Sequence, residues 1–149
     1  NLIDPNAIIE LPASAYRPDG WIKWEDSLKI GIDGIDEHHR YLFDLTNDLF
    51  DVVAQKKGAR DVARVLKALE MYTQVHFRAE ERMMAHHGYP EEESQHHQHR
   101  AFEAKLEEFR AELHDNPLTA QFDVLLYLRD WLIRHIRVED AKLLVLVTP

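Results

Sequence analysis

Glycine and proline are confined to so few places in this chain that they set its folding class. All five glycines and all six prolines fall outside four stretches, 35–57, 59–87, 91–116 and 118–148. Each stretch is more than 20 residues long, enough for a helix of about 30 Å. The helix breakers between them (Gly58, Gly88-Tyr89-Pro90 and Pro117) leave almost no linker. Short connections join antiparallel neighbours. The expected fold is therefore all-α, an up-down-up-down antiparallel four-helix bundle over 35–149. Residues 1–34 hold three prolines, three glycines, Trp21 and Trp24. They read as an extended N-terminal arm that the tryptophans pack on the bundle, giving one domain overall.

Apolar residues recur in each stretch at the 3, 4 and 7 spacings of an amphipathic helix. The first helix, with Asp36 as its candidate cap, lines up His39, Leu42, Phe43, Thr46, Leu49, Phe50 and Val53. The second lines up Val65, Leu69, Tyr72, His76, Glu80 and Met83. The third gives Gln95, His99, Phe102, Leu106, Phe109 and Leu113, and the fourth Leu125, Leu128, Trp131, Leu132, His135 and Leu143. In every helix a potential metal ligand interrupts the apolar stripe.

One histidine on an apolar face is ordinarily a core residue with a backbone hydrogen bond. That explanation weakens as the members accumulate. His76 and Glu80 are four apart and so lie one above the other on the same helical face. Burying Glu80 and Asp140 unpaired costs several kcal/mol, and no lysine or arginine shares the core stripe near either. One or two dications supply the missing counter-charge. Four imidazoles (His39, His76, His99, His135) with two carboxylates suit iron, manganese or zinc. The remaining histidines are weaker candidates. His38, His86, His87, His97 and His114 fall off the stripes and read as solvated; Met83 and Met84 read as core packing. Glu91–Glu93 complement a helix N-terminus.

The totals narrow the classes further. A net charge of −9 argues against nucleic acid or an anionic membrane as partner. Zero cysteines exclude disulfides, zinc–thiolate sites and cysteine-ligated clusters, and fit a cytoplasmic location. No run approaches the ~20 apolar residues of a membrane span, so no membrane insertion is expected, and no signal peptide is seen. The chain begins at Asn1 and stops after an apolar run at Thr148–Pro149. These ends suggest a processed protein, or a domain cut from a longer parent with an attached signalling domain.

Four segments together resemble the hemerythrin family, in its single-domain bacterial branch: WIKWEDSLKIGIDGIDEHHRYLF, HFRAEERMM, GYP and HIRVED, in that order. The likeness runs from about Trp21 to Leu144. It implies a non-heme di-iron site with a bridging oxo or hydroxo group that binds O2 reversibly, as peroxide, for carriage or for oxygen or redox sensing. By the resemblance, His39 and His76 hold the iron with the open position, and Glu80 and Asp140 bridge both irons. His99 and His135 match two of the three histidines on the other iron. The remaining family position, four before His99, is Gln95 here.

Gln95 sits near the middle of the stripe formed by His99, Phe102, Leu106 and Leu113. At about 100° per residue, His96 lies a full step off its centre. Gln95 is thus favoured in the slot, either bound weakly through its amide oxygen or leaving the place to water; a local bulge would admit His96 instead. Asp140, at i+5 from His135, lies about 140° away on an ideal α-helix. Either the fourth helix carries a π-type irregularity, or Asp140 approaches from the edge. Oxygen-activating di-iron bundles use more carboxylates than the two available here, which favours binding over catalysis. The alternatives are a di-iron enzyme acting on peroxide or nitric oxide, to which the Gln95 departure lends weight, and a metal-free interaction bundle, which leaves the buried acids unexplained.

Overall fold

The breakers place the helix ends. In the computed structural model, which describes residues 20–146, α1 spans Asp33–Ala54, α2 Ala59–His87, α3 Glu92–Asp115 and α4 Pro117–Arg134. Residues 55–58, 88–91 and Asn116 alone are the links. Links that short return the chain alongside the helix it has just left. Each helix packs on the next and α4 closes back on α1, so the bundle is the antiparallel four-helix one expected. None of the helices among the described residues is long and apolar enough to cross a membrane.

The turn after α2 shows how local sequence does this. Gly88 adopts the left-handed conformation, φ 63° and ψ 44°, which glycine reaches without a Cβ clash. Its N–H donates to the Ala85 carbonyl at 3.4 Å, and the Tyr89 N–H donates to that of Met84 at 3.0 Å, satisfying two carbonyls the ending helix leaves open. Tyr89 then packs with Met84 and Leu143, while Pro90 blocks any continuation. At the next reversal Pro117 sits in the first turn of α4, where its missing N–H is not needed.

The described part of the arm, residues 20–32, is fastened to α1. Trp21 stacks on Phe50 with ring centres 5.1 Å apart, and Trp24 meets Phe43 edge-on at 5.4 Å. The Asn47 side chain accepts from the Ile22 N–H at 2.9 Å and donates to its carbonyl at 3.0 Å. Residues 1–19, the rest of the expected arm, lie outside the described residues. Asp36 is not the cap of α1. The helix starts at Asp33 with Ile32 at the cap position, because Asp36 is drawn instead to the arm, accepting from the N–H groups of Ile30 at 2.8 Å and Gly31 at 3.1 Å.

One half of the bundle interior is apolar, built from residues such as Leu49, Leu66, Leu69, Phe109, Val124 and Leu128. Each such side chain contributes roughly 1.5–3 kcal/mol on burial. The fourth stretch departs from a single α-helix: beyond Arg134 the backbone is π-helical over His135–Glu139 and 3-10 over Asp140–Leu146. This change of winding serves the polar half of the interior.

Candidate metal centre

Seven polar side chains from four segments converge in that half: His39 from α1, His76 and Glu80 from α2, Gln95 and His99 from α3, His135 and Asp140 from the segment after α4. None is more than 4% exposed. Six of them form two overlapping groups, His39–His76–Glu80–Asp140 and Glu80–His99–His135–Asp140, in each of which one nitrogen or oxygen per residue lies within 4.8 Å of the others. Both acids belong to both groups.

The two carboxylates divide their oxygens between the groups. Glu80 Oε2 lies 3.2 Å from His76 Nε2 and 3.7 Å from His39 Nε2, while Glu80 Oε1 lies 3.2 Å from His99 Nε2. Asp140 Oδ2 lies 2.9 Å from His39 Nε2, and Asp140 Oδ1 lies 3.1 Å from His135 Nε2. Each group therefore holds two imidazoles and one oxygen from each acid.

Winding explains how Asp140 gets there. His76 and Glu80 share a face because four residues make about one α-turn. From His135 the chain takes a wider turn, and the Asp140 N–H bonds back to the His135 carbonyl five residues earlier. Asp140 thus occupies, at i+5 on a π-turn, the place that i+4 would occupy on an α-helix. This is the irregularity expected from the spacing, and the edge approach does not occur.

Of these contacts, His39 Nε2 to Asp140 Oδ2 is a hydrogen bond, His39 to Glu80 is too long for one at 3.7 Å, and the other three fail on direction. Both Glu80 oxygens, His99 Nε2 and His135 Nε2 are buried without a well-aligned partner. Nitrogens and oxygens gathered in this way could hold cations at a shared centre. The charge balance agrees. Burial would push the Glu80 carboxyl up, yet His76, His39 and His99 outweigh it and hold it well below its ordinary value. Burial would likewise lower His39, but the Asp140 and Glu80 carboxylates raise it to about 9. His99 is raised against burial by Glu80 and Glu81. His76 goes the other way, lowered chiefly by burial. Without a bound cation, histidine protons would supply the counter-charge, and a cation would displace them.

Three further residues support the imidazoles. His38 Nδ1 lies 3.0 Å from His76 Nδ1, Glu81 Oε2 lies 2.8 Å from His99 Nδ1, and Gln98 Oε1 lies 3.0 Å from His135 Nδ1. Each adjoins a site residue of its own helix (His39, Glu80, His99) and steadies an imidazole contributed by the next element. Such partners fix ring orientation and tautomer. Glu81 is itself held by Arg78 and by Arg100 at 3.1 and 2.8 Å. His38 is therefore not a solvated histidine; burial and the neighbouring His76 and His39 lower it to about 4. His86, His87, His97 and His114 are exposed, as expected.

Gln95, not His96, enters the pocket. Gln95 is 1% exposed and its Nε2 donates to Asp140 Oδ1 at 3.2 Å. The His96 side chain is 42% exposed and faces Glu81 and Glu92 at 3.7 and 3.8 Å. No bulge in α3 brings it inward.

The comparisons with known proteins agree with this geometry. A family model described as the hemerythrin HHE cation binding domain matches residues 30–147. A bacteriohemerythrin from Stenotrophomonas maltophilia is 34% identical over 118 residues, covering 78% of this chain and 75% of that protein. Myohemerythrin-1 from Phascolopsis gouldii is 31% identical over 119 residues, covering 80% and 88%. The fold is shared with a crystal structure of a hemerythrin mutant at a TM-score of 0.74, over 83% of this chain and 94% of that one, with 23% identity.

Proposed function

The chain belongs to the hemerythrin family, and from that premise we propose that it is a non-heme di-iron protein that binds O2 reversibly. His39 and His76 would hold one iron, His99 and His135 the other, with Glu80 and Asp140 shared between them. The observation that carries this assignment is the division of each acid's oxygens, one to each pair of histidines. The donor set of nitrogen and oxygen without thiolate suits ferrous and ferric ions.

Two bound irons would supply the redox chemistry for reversible O2 binding. The protein's part is to hold them and keep water out. Phe77 stacks on His99 with ring centres 3.8 Å apart, and Trp131 on His135 at 4.2 Å, so the imidazoles are locked on their apolar side as well as through Nδ1. Excluding water strengthens the electrostatics of the pocket and suppresses side reactions. Two carboxylates among four imidazoles make a donor set poorer in acid than that of oxygen-activating bundles, which supports binding over turnover.

Iron analysis with absorption spectroscopy tests the proposal. Protein loaded with ferrous ion should hold about two irons per chain and show a visible band that grows with O2 and disappears when O2 is removed. Glu80→Gln should lose both irons together, since it serves both groups. A band that does not reverse, or two irons retained in Glu80→Gln, would sink the reading.

A further inference from the structure

The Gln95 side chain is the one amide in the buried constellation, and half of it is unaccounted for. Its Nε2 faces Asp140 Oδ1 at 3.2 Å. A carboxylate oxygen only accepts, so the NH2 must be the end that meets it. That leaves Oε1 as the free end, and Oε1 is buried without a partner. An unmatched amide oxygen in an apolar interior costs roughly 1–3 kcal/mol. Atoms of Glu80, His99 and His135 in the same pocket are likewise buried without a partner, and these three belong to one of the groups that could hold a cation. Gln95 also precedes His99 by four residues on α3, so the two lie on one helical face.

We propose that Gln95 is a fifth side-chain donor, through Oε1, to the cation held by His99 and His135, and not to the one held by His39 and His76. The inference rests on the two-cation reading above and adds to it. The two cation positions then have matching cores, each with two imidazoles and two carboxylate oxygens, and differ by one neutral amide oxygen. An amide oxygen is a poorer donor than imidazole to a borderline metal such as ferrous iron. It is the donor most readily displaced, so this cation too has a position open to exchange with a small ligand. The hydrogen bond to Asp140 holds the amide in place without using the oxygen.

A simpler role for Gln95, steadying Asp140, must be told apart from ligation. Gln95 meets the Asp140 oxygen on the His135 side, so the decisive variant is Gln95→Glu, which keeps an oxygen for the cation but has no N–H to steady Asp140. The test takes two backgrounds. His76→Ala weakens the His39 position and leaves the His99 position whole; His135→Ala does the reverse. Each is loaded anaerobically with ferrous ion alone, and the affinity of its remaining ion is measured by competition with a coloured ferrous chelator. Adding Gln95→Leu should weaken the ion in the His76→Ala protein about tenfold or more and leave the His135→Ala protein little changed. Gln95→Glu, of nearly the same shape but with a stronger oxygen donor, should restore or exceed the original affinity in the first background. Circular dichroism of the metal-free variants controls for folding. Equal weakening in both backgrounds, none in either, or no rescue by Gln95→Glu would overturn the proposal while leaving the two-cation reading intact. Failure of both backgrounds to hold any ion would instead overturn that reading, and this inference with it.

Discussion

His39 stands where the electrostatics of the pocket can be tested without any metal. Its ordinary value is 6.5 and the neighbouring acids, working against burial, raise it to about 9. Its folded form thus keeps a proton that the unfolded chain releases earlier. The stabilisation is whole below about pH 6.5 and is lost as the pH climbs towards 9; His99, also raised, acts in the same direction. His38 and His76 are lowered, so their effect falls on the acid side of 6.5, outside that window. Metal-free protein should therefore melt at progressively lower temperature between about pH 6.5 and 9 in a thermal scan, whereas iron-loaded protein should show little of this slope, because cations replace the protons. A flat profile for the metal-free protein would contradict the charge balance described here. At this scale the sequence was informative about direction along a helix. The step of about 100° between neighbours separated Gln95 from His96. It could not reveal His38, Glu81 or Gln98, since a residue one step off its own stripe shows its role only once the next helix is in place.

Among the elements, α1, α2 and α3 were legible because glycine and proline bound them. The segment after α4 was not. No glycine or proline marks where α gives way to π at His135, and the only trace was the five-residue spacing from His135 to Asp140. If the π-turn exists to aim Asp140, chain length in this segment should matter in one direction only. Deleting Val138, which is 47% exposed, allows an ordinary α-turn with the acid at i+4, so both irons should be retained. Inserting one alanine after Val138 moves Asp140 a further ~100° round the helix and should reduce bound iron from about two per chain to near none, with helix content preserved by circular dichroism. Loss of iron on deletion would mean that the π-turn does more than set this angle.

Across the whole molecule, the arm and the centre are separable. Asn47 satisfies both backbone groups of Ile22, so Asn47→Ala strands a buried donor and a buried acceptor. Urea unfolding should show a loss of about 1–3 kcal/mol, with iron content unchanged, because Asn47 lies two turns along α1 from His39. The role of Trp21 and Trp24 in packing the arm was legible in the sequence; the role of Asn47 was not, since an asparagine inside a helix carries no sign of what it will hold.

His39 and Asp140 meet at 2.9 Å although 101 positions separate them along the chain. Bringing such distant points together carries a closure entropy that grows only slowly with length, but contacts this non-local tend to slow folding. A metal held by both would act as a clasp on a ring that contains most of the polypeptide. Fraying of the final turn then cannot stay a local event: it opens the clasp and frees the metals, and rising metal release should be the earliest sign of incipient unfolding.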